Sequence, residues 1–206
     1  MSNMQGSGAI DHRAAAGAAA FIQYGILISL LGSILGVVLG RFLATGDPAQ
    51  PPDWVAIASN TISLGGAALF FIGILRFAPI EPMPDGRSGT LRGLAIASIA
   101  LSGAGFALAM IGFVTGQLAI LALGTIIGLT DYGITIALLV VLLGRAMAWA
   151  SVLGDMTLAK HAKSARISVP LLMTIGIVIF IGPLLGIVVF YNRMNMLRKL
   201  LRASVA

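Results

Sequence analysis

Long apolar stretches separated by short polar ones dominate the chain. Residues 18–44, 54–78, 91–113, 118–150 and 167–191 are runs with at most two charged side chains each. A bilayer core about 30 Å thick, crossed at about 1.5 Å per helical residue, needs about 20 apolar residues per crossing. The pattern therefore predicts an all-α fold, a polytopic transmembrane helical bundle of about five spans. Backbone polar groups in hydrocarbon must be satisfied within each segment, and the runs are far too long for barrel strands. With little left over for a water-soluble unit, residues 1–206 read as a single membrane domain ending in a basic tail, 192–206.

Turn-forming residues punctuate the runs. Gly46-Asp47-Pro48 with Pro51 and Pro52 ends the first, and Pro79, Pro82, Pro84 and Gly86 end the second. Thr115-Gly116-Gln117 alone separates the third from the fourth. The first run is too long, and its start too poor in basic residues, for a cleaved signal, so it is expected to be a retained span. The run 118–150 is longer than one span requires. It is expected to cross once, with room for a kink at Thr130-Asp131-Tyr132-Gly133. Residues 151–166 read as a polar helical extension, and 167–191 as the last span, with Pro170 near its start and Pro183 inside it.

Composition agrees: 58% of residues are hydrophobic, 10% are charged and the mean hydropathy is +1.02. The absence of cysteine excludes disulfides, thiolate metal sites and a cysteine nucleophile. The net charge of +6 needs no nucleic-acid partner, because the basic residues stand at the ends of apolar runs, where they meet headgroups. With five crossings, Arg13, Arg76, Arg87, Arg92, Arg145, Lys160, Lys163 and Arg166 share one side, and Arg41, Arg193, Arg198, Lys199 and Arg202 the other. The positive-inside rule then puts the N-terminus in the cytoplasm and the C-terminus outside. A six-crossing arrangement gives the same balance and the same N-terminal side. The expected location is a prokaryotic cytoplasmic membrane.

Three groups of residues stand out. Gly32, Gly36 and Gly40, spaced by four, form a candidate helix-packing face, since small residues allow the close backbone approach that drives association in lipid. Gly124/Gly128 and Gly182/Gly186 are shorter versions. Asp131 is the one acidic residue deep in an apolar run, and with Thr130 and Tyr132 forms a candidate intramembrane polar site, Thr135 and Gly133 nearby. No second charged residue stands at a similar depth to complete a relay. Arg193, Arg198, Lys199 and Arg202 alternate with Met and Leu and are candidate membrane-surface contacts.

No catalytic, cofactor or metal site is expected. His12 and His161 lie far apart outside the apolar runs, and Gly103/Gly105 lacks the strand–helix frame of a phosphate loop. The partners expected are the bilayer and other membrane helices, as a hetero-complex or homo-oligomer. Abundant small residues beside few intramembrane polar groups favour a non-enzymatic accessory subunit. The alternative is a small secondary transporter or channel centred on Asp131 and the breaks at Gly133 and Pro183.

Overall fold

Helices α1 (His12–Leu43), α2 (Asp53–Phe77), α3 (Ser88–Thr115), α4 (Leu118–Val152), α5 (Met156–Ile175) and α6 (Gly182–Ala203) account for nearly all of residues 12–43, 53–80, 88–175 and 182–204, the parts described by the computed structural model. Among the described residues there is no strand. Helices α1 to α4 are each long and apolar enough to cross a bilayer. Large apolar side chains stay exposed along them, among them Leu31, Leu64, Phe106 and Leu129. In water such a surface would drive aggregation, whereas against lipid it needs no cover.

The chain folds as three successive antiparallel hairpins, α1/α2, α3/α4 and α5/α6. Two left-handed glycines make tight connections where the chain turns: Gly116 (φ +66°) between α3 and α4, and Gly154 (φ +79°) between α4 and α5. Asp155 then caps α5, its Oδ1 accepting from the Leu158 amide at 2.9 Å.

The α1/α2 hairpin is closed by glycines. A Cβ on Gly32 would lie 2.7 Å from Ser63 N, one on Gly36 2.8 Å from Ser59 Oγ, and one on Gly73 2.6 Å from Ile22 N. Gly25 and Gly66 leave still less room, against the backbones of Phe70 and Ser29. The packing face of Gly32 and Gly36 is thus filled from within the chain. Gly40 belongs to α1, but its surroundings lie outside the described residues.

Run 118–150 is one unbroken helix, continuous through Asp131 and Gly133. Run 167–191, expected to be a single crossing, is instead divided between α5 and α6. The two legs lie side by side. A Cβ on Gly186 would be 2.8 Å from Met173 Cγ, whereas in an uninterrupted helix those residues would stand about 20 Å apart. Pro183 is the second described residue of α6.

The fold-back changes the distribution of charge. In antiparallel hairpins the start of α1, end of α2, start of α3, end of α4, start of α5 and end of α6 gather at one end, here called basal. His12 Nδ1 lies 2.8 Å from Ser204 Oγ, and its ring meets Trp149 edge-on at 5.5 Å. The end of α6 therefore sits beside the start of α1, not across the bundle as five crossings required. Every Lys and Arg except Arg41, at the far end of α1, and Arg87, outside the described residues, falls in the basal half of its helix or, for Arg166, at the middle of it.

The core is basal too, built from Ile22, Phe77, Leu142, Trp149 and Leu197, all fully buried. Met194, Leu197 and Leu201 belong to it. The apolar side of the basic tail thus packs on protein instead of lying along the membrane surface. Lys199 and Arg202 are exposed, Arg193 Nη1 donates to Met196 Sδ at 3.5 Å, and Arg198 reaches inward.

Candidate intramembrane site

Antiparallel pairing about the Gly116 turn sets Asp131 of α4 opposite Ser98 and Ser102 of α3. Ser98 Oγ donates to Asp131 Oδ1 at 2.5 Å, and Ser102 Oγ donates to Oδ2. Thr135, one turn along α4 from Asp131, brings its Oγ1 to 3.3 Å from Ser98 Oγ. Ser98 is buried, Asp131 half-buried and Ser102 exposed, so the cluster has a closed and an open side. Helix α3 approaches α4 closely here because Gly105 meets the backbone of Gly124 and Gly128 with Cβ distances of 3.6 and 3.7 Å. Two hydroxyls on two carboxylate oxygens supply what hydrocarbon withholds from a buried acid. Among the described residues no Lys, Arg or His pairs with Asp131.

The residues beside Asp131 serve other ends. Thr130 Oγ1 donates back to Ile126 O at 2.9 Å on the exposed side of α4. Tyr132 points away from the carboxylate, and its hydroxyl donates to Met173 O at 2.9 Å, tying α4 to α5. Successive helix positions differ by about 100° in direction, so sequence neighbours of Asp131 cannot share its face. The residues that do share it, Ser98 and Ser102, carry no sequence signal of their own, because serine is ordinary in membrane helices. Reflection through the turn could have found them. The position as far before Gly116 as Asp131 lies after it is Leu101, between the two serines.

Ser98, Ser102 and Thr135 also form part of the wall of a cavity of about 340 Å³ to which all six helices contribute. Ser29 and Ser33 of α1 add hydroxyls, and the rest of the lining is apolar, with Phe70 and Phe71 from α2 and Met173 and Phe190 from the short hairpin. The volume is in the range of small-molecule pockets, as is the mixture of apolar wall and a few polar groups.

Basal to the cavity, Gln23 is fully buried, and its Oε1 accepts from Arg198 Nη1 at 3.0 Å. The same guanidinium donates to Tyr24 Oη at 3.1 Å and lies 5.0 Å from the ring centre. Arg145 is buried and donates through Nη1 to Ala78 O at 2.8 Å and to Phe77 O and Ile80 O at 3.4 Å, joining α4 to the end of α2. His161 is exposed. Among the described residues no group of three His, Cys, Asp or Glu converges. Comparison with family models, with curated proteins and with solved structures returns no match.

Proposed function

We propose that the chain is a small secondary transporter, a multi-pass protein whose cavity takes up a mostly apolar solute bearing a hydroxyl or amino group. The observation that carries this reading is that the hydroxyls on Asp131 are the same ones that line the cavity wall. A solute in the cavity exchanges hydrogen bonds with Ser98 and Ser102 and so alters the environment of the acid. The accessory-subunit reading loses its first motive, because α2 already occupies Gly32 and Gly36. What remains for it is the exposed outer part of α3 and α4, Phe106, Val114 and Leu129, which helices of a partner subunit would cover.

In this reading the basal end faces the cytoplasm of a prokaryotic cell, by the positive-inside rule, and both described termini lie there. The test is uptake of radiolabelled amines and alcohols of graded size by reconstituted vesicles, with Ala67→Phe as the cavity-filling variant. Ala67 lines the cavity and is not among the hydrogen-bonding residues. Uptake by the wild type that Ala67→Phe abolishes supports the proposal. Uptake no greater than in empty vesicles across the panel, or untouched by Ala67→Phe, overturns it.

A further inference from the structure

The geometry points to a sodium site formed by Asp131, Ser98, Ser102 and Thr135, which supplies the ion that drives uptake into the adjoining cavity. For that purpose the inference rests on the transporter reading. The site itself rests on four oxygen-bearing side chains from two facing helices, with no nitrogen or sulfur donor among them.

Charge selects the class of ligand. Asp131 has no cationic partner among the described residues, so an ionised carboxylate would leave a net −1 in a medium where uncompensated charge is costly. A monovalent cation neutralises it, whereas a divalent one would leave the opposite excess. Hard cations prefer carboxylate, hydroxyl and carbonyl oxygen, the donor types present here. Ser98 Oγ and Thr135 Oγ1, 3.3 Å apart, are spaced like neighbouring oxygens around a cation of sodium's size.

The hydroxyls are suited to both states. With the site empty, Ser98 and Ser102 turn their protons onto the carboxylate. With sodium present, rotation about the Cβ–Oγ bond turns the oxygen lone pairs inward. Ser98, Ser102 and Thr135 all stand on the cavity wall, which gives the ion an entry from the cavity, with Ser102 the exposed member and Ser98 only 1% exposed.

The experiment measures ²²Na⁺ binding to the purified full-length protein in detergent, and its thermal midpoint in NaCl, KCl and choline chloride at fixed ionic strength and several pH values. We expect saturable ²²Na⁺ binding and a rise in midpoint specific to NaCl. Asp131→Asn should abolish both, and Ser102→Ala should raise the half-saturating sodium concentration about tenfold. No saturable binding by the wild type overturns the inference, whether or not Asp131→Asn folds. So does a midpoint that follows pH and ignores sodium, which would assign the acid to a proton. Saturable sodium binding by the wild type alongside a complete lack of wild-type uptake would sink the transporter reading and leave the ion site standing. Uptake independent of sodium would do the reverse.

Discussion

Arg145 Nη1 lies 2.8 Å from the carbonyl oxygen of Ala78, binding the end of α2 to the last third of α4. The carbonyls that close a helix have no partner within it, and a cation there also meets the negative end of the helix dipole. Helices α2 and α3 touch only slightly, so this guanidinium is a main link between the first two hairpins. Replacing it with alanine should lower stability by about 2–3 kcal/mol. Thermal unfolding in detergent would show it, and Arg145→Lys should recover part, because the ammonium keeps a cation beside the carbonyls at the end of α2.

The glycines of α1/α2 are not equivalent. Gly66→Ala places a methyl against the backbone and hydroxyl of Ser29 and should cost about 1–3 kcal/mol. Gly65, its neighbour, has open space on that side, so Gly65→Ala should be neutral or stabilise by up to about 1 kcal/mol through its helix propensity. Equal melting points for the pair would rule out the described crossing of α1 over α2.

The fold-back of α5 and α6 has a direct test in labelling, and the absence of cysteine removes any background. Single cysteines at Lys160, Lys199 and Gln117, treated with an impermeant maleimide on sealed vesicles, should separate two against one. Positions 160 and 199 react from the same side and 117 from the other. Reaction of 160 and 199 from opposite sides would restore the straight fifth span.

Tyr132→Phe removes one hydrogen bond, to Met173 O, and leaves the packing in place. The expected loss is about 1 kcal/mol. Hydrogen exchange should localise it to α5 around Met173, with the α1/α2 amides unchanged.

The first four runs were legible because a span leaves a pattern that little else imitates. Runs 54–78, 91–113 and 118–150 agree with α2, α3 and α4 to within a few residues. Helix α1 already includes His12, ahead of the expected run, and Ala15 and Ala16 there pack into the basal core although their small side chains add little to hydropathy. The α5/α6 break was not legible. Twenty-five apolar residues look alike whether they run straight or turn back, and Pro170, Gly182 and Pro183 are equally at home in a kinked span. Asp131 announced itself by its cost in lipid, but its partners did not, since what joins them to it is a reflection across a turn.

The gathering of basic residues at one end also bears on how the chain enters the bilayer. Each hairpin starts and finishes on the basal side, so insertion would draw across the membrane only apolar helix and the short apical links. Of the arginines and lysines in the described helices, Arg41 alone would have to make the passage. With the basal end in the cytoplasm, as proposed above, a nascent chain built this way can be threaded two helices at a time, with its cations left where synthesis began.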